Sequence, residues 1–219
     1  MFELQAVSFT YGTKQVLSQV NLQLDTTQFT LIKGPSGSGK STLLRLLSRL
    51  IVPSSGEIFY RGQPLSEFEP TAYRRKVGYL QQIPVMLDAS VKDNLLLPLR
   101  LKAAGGRIPP GDQELRRYLE DFLLTDLKLE DHAQKLSVGQ KQRLAFIRGL
   151  LMEPEVLLLD EPTAALDEVS RHLVEQKAEE LNRASGVGVV MISHNDYTPA
   201  AVVPRTIYLE AGQVREAVQ

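Results

Sequence analysis

The chain has 219 residues, 43% hydrophobic and 23% charged, with a formal net charge of −1 and no cysteine. This balance predicts one α/β domain, or a core with a smaller subdomain, and excludes disulfides and thiolate metal sites, as fits a reducing compartment. Near-neutral charge argues against a nucleic-acid partner, no apolar run approaches the ~20 residues of a membrane span, and Met1-Phe2-Glu3 gives no sign of a secretion signal.

Residues 2–10 and 16–25 alternate at period two, through Leu4 and Ala6 and then Val20, Leu22 and Leu24. Tyr11-Gly12-Thr13-Lys14 between them predicts a hairpin connection, so the chain opens with antiparallel strands. A strand at Phe29–Lys33 then enters Gly34, Pro35, Ser36, Gly37, Ser38, Gly39, Lys40 and Ser41, which read G-x-x-x-x-G-K-[ST]. A helix leaves this loop from Thr42. The pattern is the phosphate-binding loop of nucleoside-triphosphatases. Its glycines let successive N–H groups turn inward onto phosphate oxygens, and the helix start adds partial positive charge. Lys40 is expected to reach the β- and γ-phosphates of ATP or GTP, and the Ser41 hydroxyl to ligate Mg²⁺.

Short strands are predicted at 57–60 and Val77–Leu80, the latter running into Gln81 and Gln82. Arg74-Arg75-Lys76 is a small basic cluster, suited to a solvated face or a single phosphate contact. From about Pro84 to Arg143 the pattern turns helical. Ser90 with Asp93 predicts a capping box for a helix through Asn94 to Leu96. Residues 103–111 predict a flexible loop, and Leu115, Leu119, Phe122 and Leu123 repeat at helical spacing. Two continuous apolar runs, 156–159 and 187–192, predict parallel strands covered on both faces. Between them Asp167 is expected to cap a helix carrying Val169, Leu173 and Leu181, with Gly186 after its end.

The first of these runs ends in Asp160 and Glu161. Carboxyl ends of strands are where such sheets bind ligands, so both acids should arrive beside the phosphate loop. Asp160 suits a direct or outer-sphere Mg²⁺ contact, and Glu161 a general base for the attacking water. Leu136-Ser137-Val138-Gly139-Gln140-Lys141-Gln142-Arg143 resembles the signature of ATP-binding cassette ATPases. The order of Tyr11, phosphate loop, Gln82, signature, acidic strand, Ala165-Leu166-Asp167 and His194 agrees along essentially the whole chain.

The resemblance implies an α/β fold: a P-loop NTPase core of parallel sheet with an N-terminal antiparallel β subdomain, plus an inserted helical signature subdomain. The core would comprise residues 1–84 and 144–219, and the helical part 85–143. It implies that Tyr11 stacks on adenine and that the loop from Gly34 to Thr42 binds phosphate. Gln82 would sense Mg²⁺ and the attacking water, with its loop facing the membrane partner; Ser41, Gln82 and Asp160 would surround the metal. Glu161, His194 and Gln82 would be catalytic. Ser137, Val138, Gly139 and Gln140 would bind the γ-phosphate of ATP held by the opposite subunit, and Asp167 would belong to the D-loop. Val138 departs from the usual glycine, and an ordinary helical or extended backbone is expected there.

The implied unit is a homodimer with two ATP between the copies, attached through a separate transmembrane permease to the cytoplasmic face of the membrane. The run from Gln82 to Asn94 is similar in spacing to a bacterial iron- or metal-export subgroup, and no C-terminal regulatory domain is expected after Val214. An apolar helix over 85–97 is expected to form the docking surface. The alternative is a cell-division-type cassette that regulates wall hydrolysis through a membrane partner.

Overall fold

The computed structural model describes residues 1–100, 108–193 and 197–216. Two sheets organise it. The first is antiparallel, in the order β2-β1-β4-β5, and joins Phe2–Tyr11, Lys14–Leu24, Ser55–Tyr60 and Gln63–Pro64 as β1, β2, β4 and β5. The second has the order β10-β9-β3-β8-β7-β6. Its five strands β3 (Phe29–Lys33), β6 (Val77–Leu80), β7 (Val156–Asp160), β8 (Gly188–Ile192) and β9 (Arg205–Glu210) run parallel; β10 (Gln213–Glu216) is antiparallel at the edge.

Strands buried on both faces explain the apolar runs. Every residue of β7 and β8 is buried. Val156 and Leu158 pack toward the antiparallel sheet and helix α1 (Lys40–Leu47), in a core with Phe2, Leu17, Ile32, Leu43 and Tyr60. Leu157 and Leu159 face the other way, into a core with helices α3 (Val91–Arg100), α4 (Asp112–Asp121), α5 (Val138–Leu150) and α6 (Glu168–Ser185). Each such buried aliphatic side chain contributes roughly 1.5–3 kcal/mol relative to exposure.

The β1–β2 hairpin turns at Gly12, with Tyr11 opposite Lys14. Gly12 has φ 57°, a left-handed value that glycine adopts without strain. The expected alternation through Ala6 does not hold. Ala6 is exposed with φ 47°, and the β1–β2 register shifts between Leu4 and Val7. A bulge there resets the phase, so that Val7 and Phe9 turn inward.

The helical stretch brings further corrections. The docking helix expected over 85–97 begins only at Val91. Within 83–87 Met86 is buried, while Ile83, Val85 and Leu87 are exposed by 76%, 60% and 44%. Ser90 does cap α3, accepting from the Asp93 N–H at 3.0 Å, but the reciprocal bond differs: the Ser90 hydroxyl donates to the Asp93 carboxylate at 2.6 Å. Leu115, Leu119 and Phe122 are buried, whereas Leu123 lies beyond α4, half exposed, at φ 52°. The expected loop over 103–111 lies largely outside the described residues.

Asp167 caps α6 by accepting from the Ser170 N–H at 2.9 Å, and Gly186 ends it at φ 65°. The buried face of α6 runs through Val174 and Ala178, with Leu173 and Leu181 at its margin; Val169 is two-thirds exposed. Helix α2 (Pro70–Lys76), capped by Glu69, ends in the basic cluster. There Arg74 donates to the Arg49 carbonyl and Lys76 approaches Glu155 at 3.7 Å. Three cations at a helix C-terminus also suit its dipole.

Candidate functional site

The phosphate loop spans the gap between the end of β3 and the start of α1. Its backbone could not be built from other residues. Gly34 has φ 143°, and a Cβ there would lie 2.0 Å from the Leu209 carbonyl oxygen on β9. Gly39, at the N-cap of α1 with φ 106°, would meet the Leu17 side chain at 2.8 Å. The loop is thus clamped between β9 and β2, and α1 points its N-terminus into the bend. Lys40 is buried and donates to the carbonyls of Gly34 at 2.8 Å and Pro35 at 2.9 Å. Burial pushes its ammonium below the usual lysine range, against the opposing pull of Glu161 and then Asp160. Ser38 Oγ is buried without a hydrogen-bond partner among the described residues. An ammonium has three donors and two are used on the loop, so Lys40 retains one for a phosphate oxygen.

Strand β7 delivers its two acids as expected. Asp160 is 2% exposed. Its Oδ1 accepts from the Ser41 hydroxyl at 2.8 Å and its Oδ2 from the Tyr79 hydroxyl at 2.8 Å. The Tyr79 phenol is pushed up to about 12, first by burial and then by its bond to Asp160, so it stays a donor at neutral pH. Arg45, one turn after Ser41 on α1, is near enough to the hydroxyls of Tyr79 and Tyr11 that they hold its guanidinium above the usual arginine range. Glu161 sits at the strand end with φ 49°, a left-handed conformation that costs a non-glycine residue about 1 kcal/mol or more. Gln82, after β6, donates its amide to Glu161 Oε2 at 2.8 Å.

Lys40, Ser41, Gln82 and Glu161 line one cleft of about 320 Å³ together with Tyr11, Val16, Ser36, Gly37, Gly39 and Thr42, and Asp160 lies behind it, bonded to Ser41. Tyr11 is exposed at its rim, edge-on to Phe9. A larger cleft of about 670 Å³ runs along α6 past Glu175, Glu179 and Tyr197. Arg171 and His172 line it as well as the two carboxylates, but no glycine does among the described residues; the glycine-rich phosphate loop lies at the smaller cleft. The oxygen donors Ser41 and Asp160, already in contact, fit a hard divalent cation such as Mg²⁺.

Ser137, Val138, Gly139 and Gln140 do not line this cleft. Ser137 caps α5 in a reciprocal box: it accepts from the Gln140 N–H at 3.2 Å, and Gln140 Oε1 accepts from the Ser137 N–H at 2.9 Å. Gln140 also donates to Asp126 at 3.1 Å. Val138 is the first residue of α5, exposed, and absent from the residues with positive φ, so its side chain causes no backbone conflict. Leu166 of the Asp167 loop lies against Gly139, 3.4 Å from where a Cβ would stand. His194 lies outside the described residues. Tyr79 did not stand out in the sequence; its place beside Asp160 depends on strand register, which no local motif encodes.

The family model described as ABC transporter matches residues 17–164. The chain belongs to the ABC transporter family. It is 36% identical to the "Probable iron export ATP-binding protein FetA" of Escherichia coli (strain K12), over 99% of this chain and 95% of that protein. It is 33% identical to the glycine betaine/carnitine/choline transport ATP-binding protein OpuCA of Bacillus subtilis (strain 168), over 98% of this chain but 56% of that longer protein. Among solved structures, a dimeric ATP-binding cassette in a post-hydrolysis state with ADP and Pi superposes with a TM-score of 0.85 at 32% identity, covering 99% of this chain and 98% of that one. This cassette is therefore an ATPase of the P-loop fold, with an ATP-binding role. Among the described residues no helix is long and apolar enough to cross a membrane.

Proposed function

We propose that this cassette is the ATP-hydrolysing subunit of an exporter for iron or another metal ion. It would pair head-to-tail with a second copy around two ATP molecules and drive a separate membrane permease from its cytoplasmic face. The observation that carries the catalytic reading is the convergence of Lys40, Ser41, Glu161 and Gln82 on one cleft, with Asp160 bonded to Ser41 behind it. Lys40 and the loop's N–H groups would hold the phosphates, and Tyr11 would stack on the adenine at the rim. Ser41 and Asp160, with Gln82 nearby, would hold Mg²⁺, which neutralises phosphate charge when bound. Glu161, held by Gln82, would accept a proton from the attacking water, and the family resemblance assigns His194 to the same step.

The partner's Ser137–Gln140 segment would supply a second anion cradle, because a capped helix start presents unpaired N–H groups. Residues 85–143 would carry that segment as a unit, so that closure of the dimer completes each site. Exposed Ile83, Val85 and Leu87, just after Gln82, support a docking face for the permease. Metal export is supported by likeness to the iron-export protein over nearly the full length of both chains. Cells lacking the cassette, grown in excess iron and other metals, should accumulate metal and recover when the gene is restored. Unchanged metal content with a wall-separation defect would favour the cell-division reading instead.

A further inference from the structure

We propose that Tyr79 is a positioning residue for Asp160: its hydroxyl fixes the carboxylate so that Oδ1 is presented to Ser41. The inference rests on the reading of Ser41 and Asp160 as the Mg²⁺-binding pair.

Tyr79 lies on β6, paired in parallel register with Leu158, two residues before Asp160 on β7. The two side chains thus meet across neighbouring strands at the same end of the sheet. An ionised carboxylate only accepts hydrogen bonds, so the Tyr79 hydroxyl is the donor and its proton points at Asp160 Oδ2, 2.8 Å away. Ser41 donates to the other oxygen at the same distance. With a donor on each oxygen, the buried carboxylate has one favoured rotation about its last torsion. Loss of the Tyr79 donor would leave Oδ2 unsatisfied in a site 2% exposed, and the group would turn to share Ser41 between both oxygens. That rotation would displace Oδ1 from the metal-binding position without touching the phosphate loop.

Tyr79→Phe removes one oxygen and keeps the ring that packs against the core, so the variant should fold. Affinity for a fluorescent ATP analogue is measured in EDTA and across a Mg²⁺ titration, alongside the apo melting temperature. For Tyr79→Phe the EDTA affinity should stay within about twofold of wild type. The Mg²⁺ concentration giving half of the affinity gain should rise about tenfold, the size of a lost hydrogen bond to a charged group. An unchanged Mg²⁺ midpoint in Tyr79→Phe, or an affinity loss equal in EDTA and Mg²⁺, overturns the positioning role. If wild-type affinity does not respond to Mg²⁺ at all, the metal reading of Ser41 and Asp160 fails, and this inference with it.

Discussion

Replacing Lys40 by methionine separates two consequences of one buried charge. Methionine keeps an unbranched stem of similar length, so the packing of this 5% exposed side chain is retained while the ammonium is lost. In the nucleotide-free fold that ammonium is a liability: burial lowers its pKa from the ordinary value of 10.5. A lysine with a lowered folded pKa binds fewer protons than in the unfolded chain, so its penalty is fully present below the folded pKa. The penalty is relieved as pH rises toward 10.5. The two carbonyls that lose a donor belong to Gly34 and Pro35, at the partly exposed mouth of the loop, where water can replace it.

The nucleotide-free variant should therefore melt at or slightly above the wild-type temperature. A gain of 1 kcal/mol would appear as about 2–4 °C for a domain of this size, and should shrink as pH approaches the lysine range. ATP binding should respond oppositely. One charge pair at about 4 Å in a surface cleft is worth about 4 kcal/mol, and each 1.4 kcal/mol is tenfold in affinity. With the loop's N–H groups still in place, a loss of about 10²–10³ in ATP affinity is expected. Differential scanning fluorimetry without nucleotide and titration calorimetry with ATP read the two effects. An ATP affinity within about threefold of wild type, or nucleotide-free melting lowered by more than about 4 °C, would refute the reasoning.

Glu161→Gln should retain ATP binding while turnover falls by about 10²–10⁴, since the amide keeps shape and removes the base. An ATP-bound dimer should then accumulate and be visible by light scattering; normal hydrolysis would move the base to another residue, His194 first. Charge substitutions in the segment after Gln82 should divide by burial. Val85→Glu and Leu87→Glu, both exposed, should abolish transport in cells and spare basal ATP hydrolysis, whereas Met86→Glu should lower stability by about 3 kcal/mol or more because it buries a charge. Equal effects at all three positions would argue against a docking face.

What was legible in the sequence follows from how locally each feature is encoded. The parallel strands β7 and β8 announce themselves because burial on both faces demands continuous apolar runs. The phosphate loop is legible because its backbone needs glycine at Gly34 and Gly39, where any side chain would strike β9 or β2. The bulge at Ala6 was not, since a single extra residue shifts the phase without a compositional mark. The hairpin of β9 and β10 also went unread, although Ile207 and Leu209 alternate inward before an Ala211-Gly212 turn. Met86 looked like its exposed neighbours. Its burial is a matter of the chain's path, which Asn94 sets by accepting from the Leu87 N–H at 2.7 Å and donating to the Leu87 carbonyl.

The bond between Tyr79 and Asp160 joins residues 81 apart in sequence, and the one between Ser41 and Asp160 joins residues 119 apart. Only the parallel register of β6 and β7 brings the first pair together, so motif reading finds Asp160 and misses what holds it. The signature helix shows the converse case. Its local box of Ser137 with Gln140, anchored to Asp126, is complete within one chain, yet those residues stand apart from the cleft they are expected to serve. In the proposed dimer that arrangement is economical in entropy. The helix start is already ordered before the partner arrives, and the Ser137 oxygen that accepts from Gln140 still carries a proton to donate. Closure then needs to order few side chains, and more of the interaction with phosphate remains to hold the two copies together.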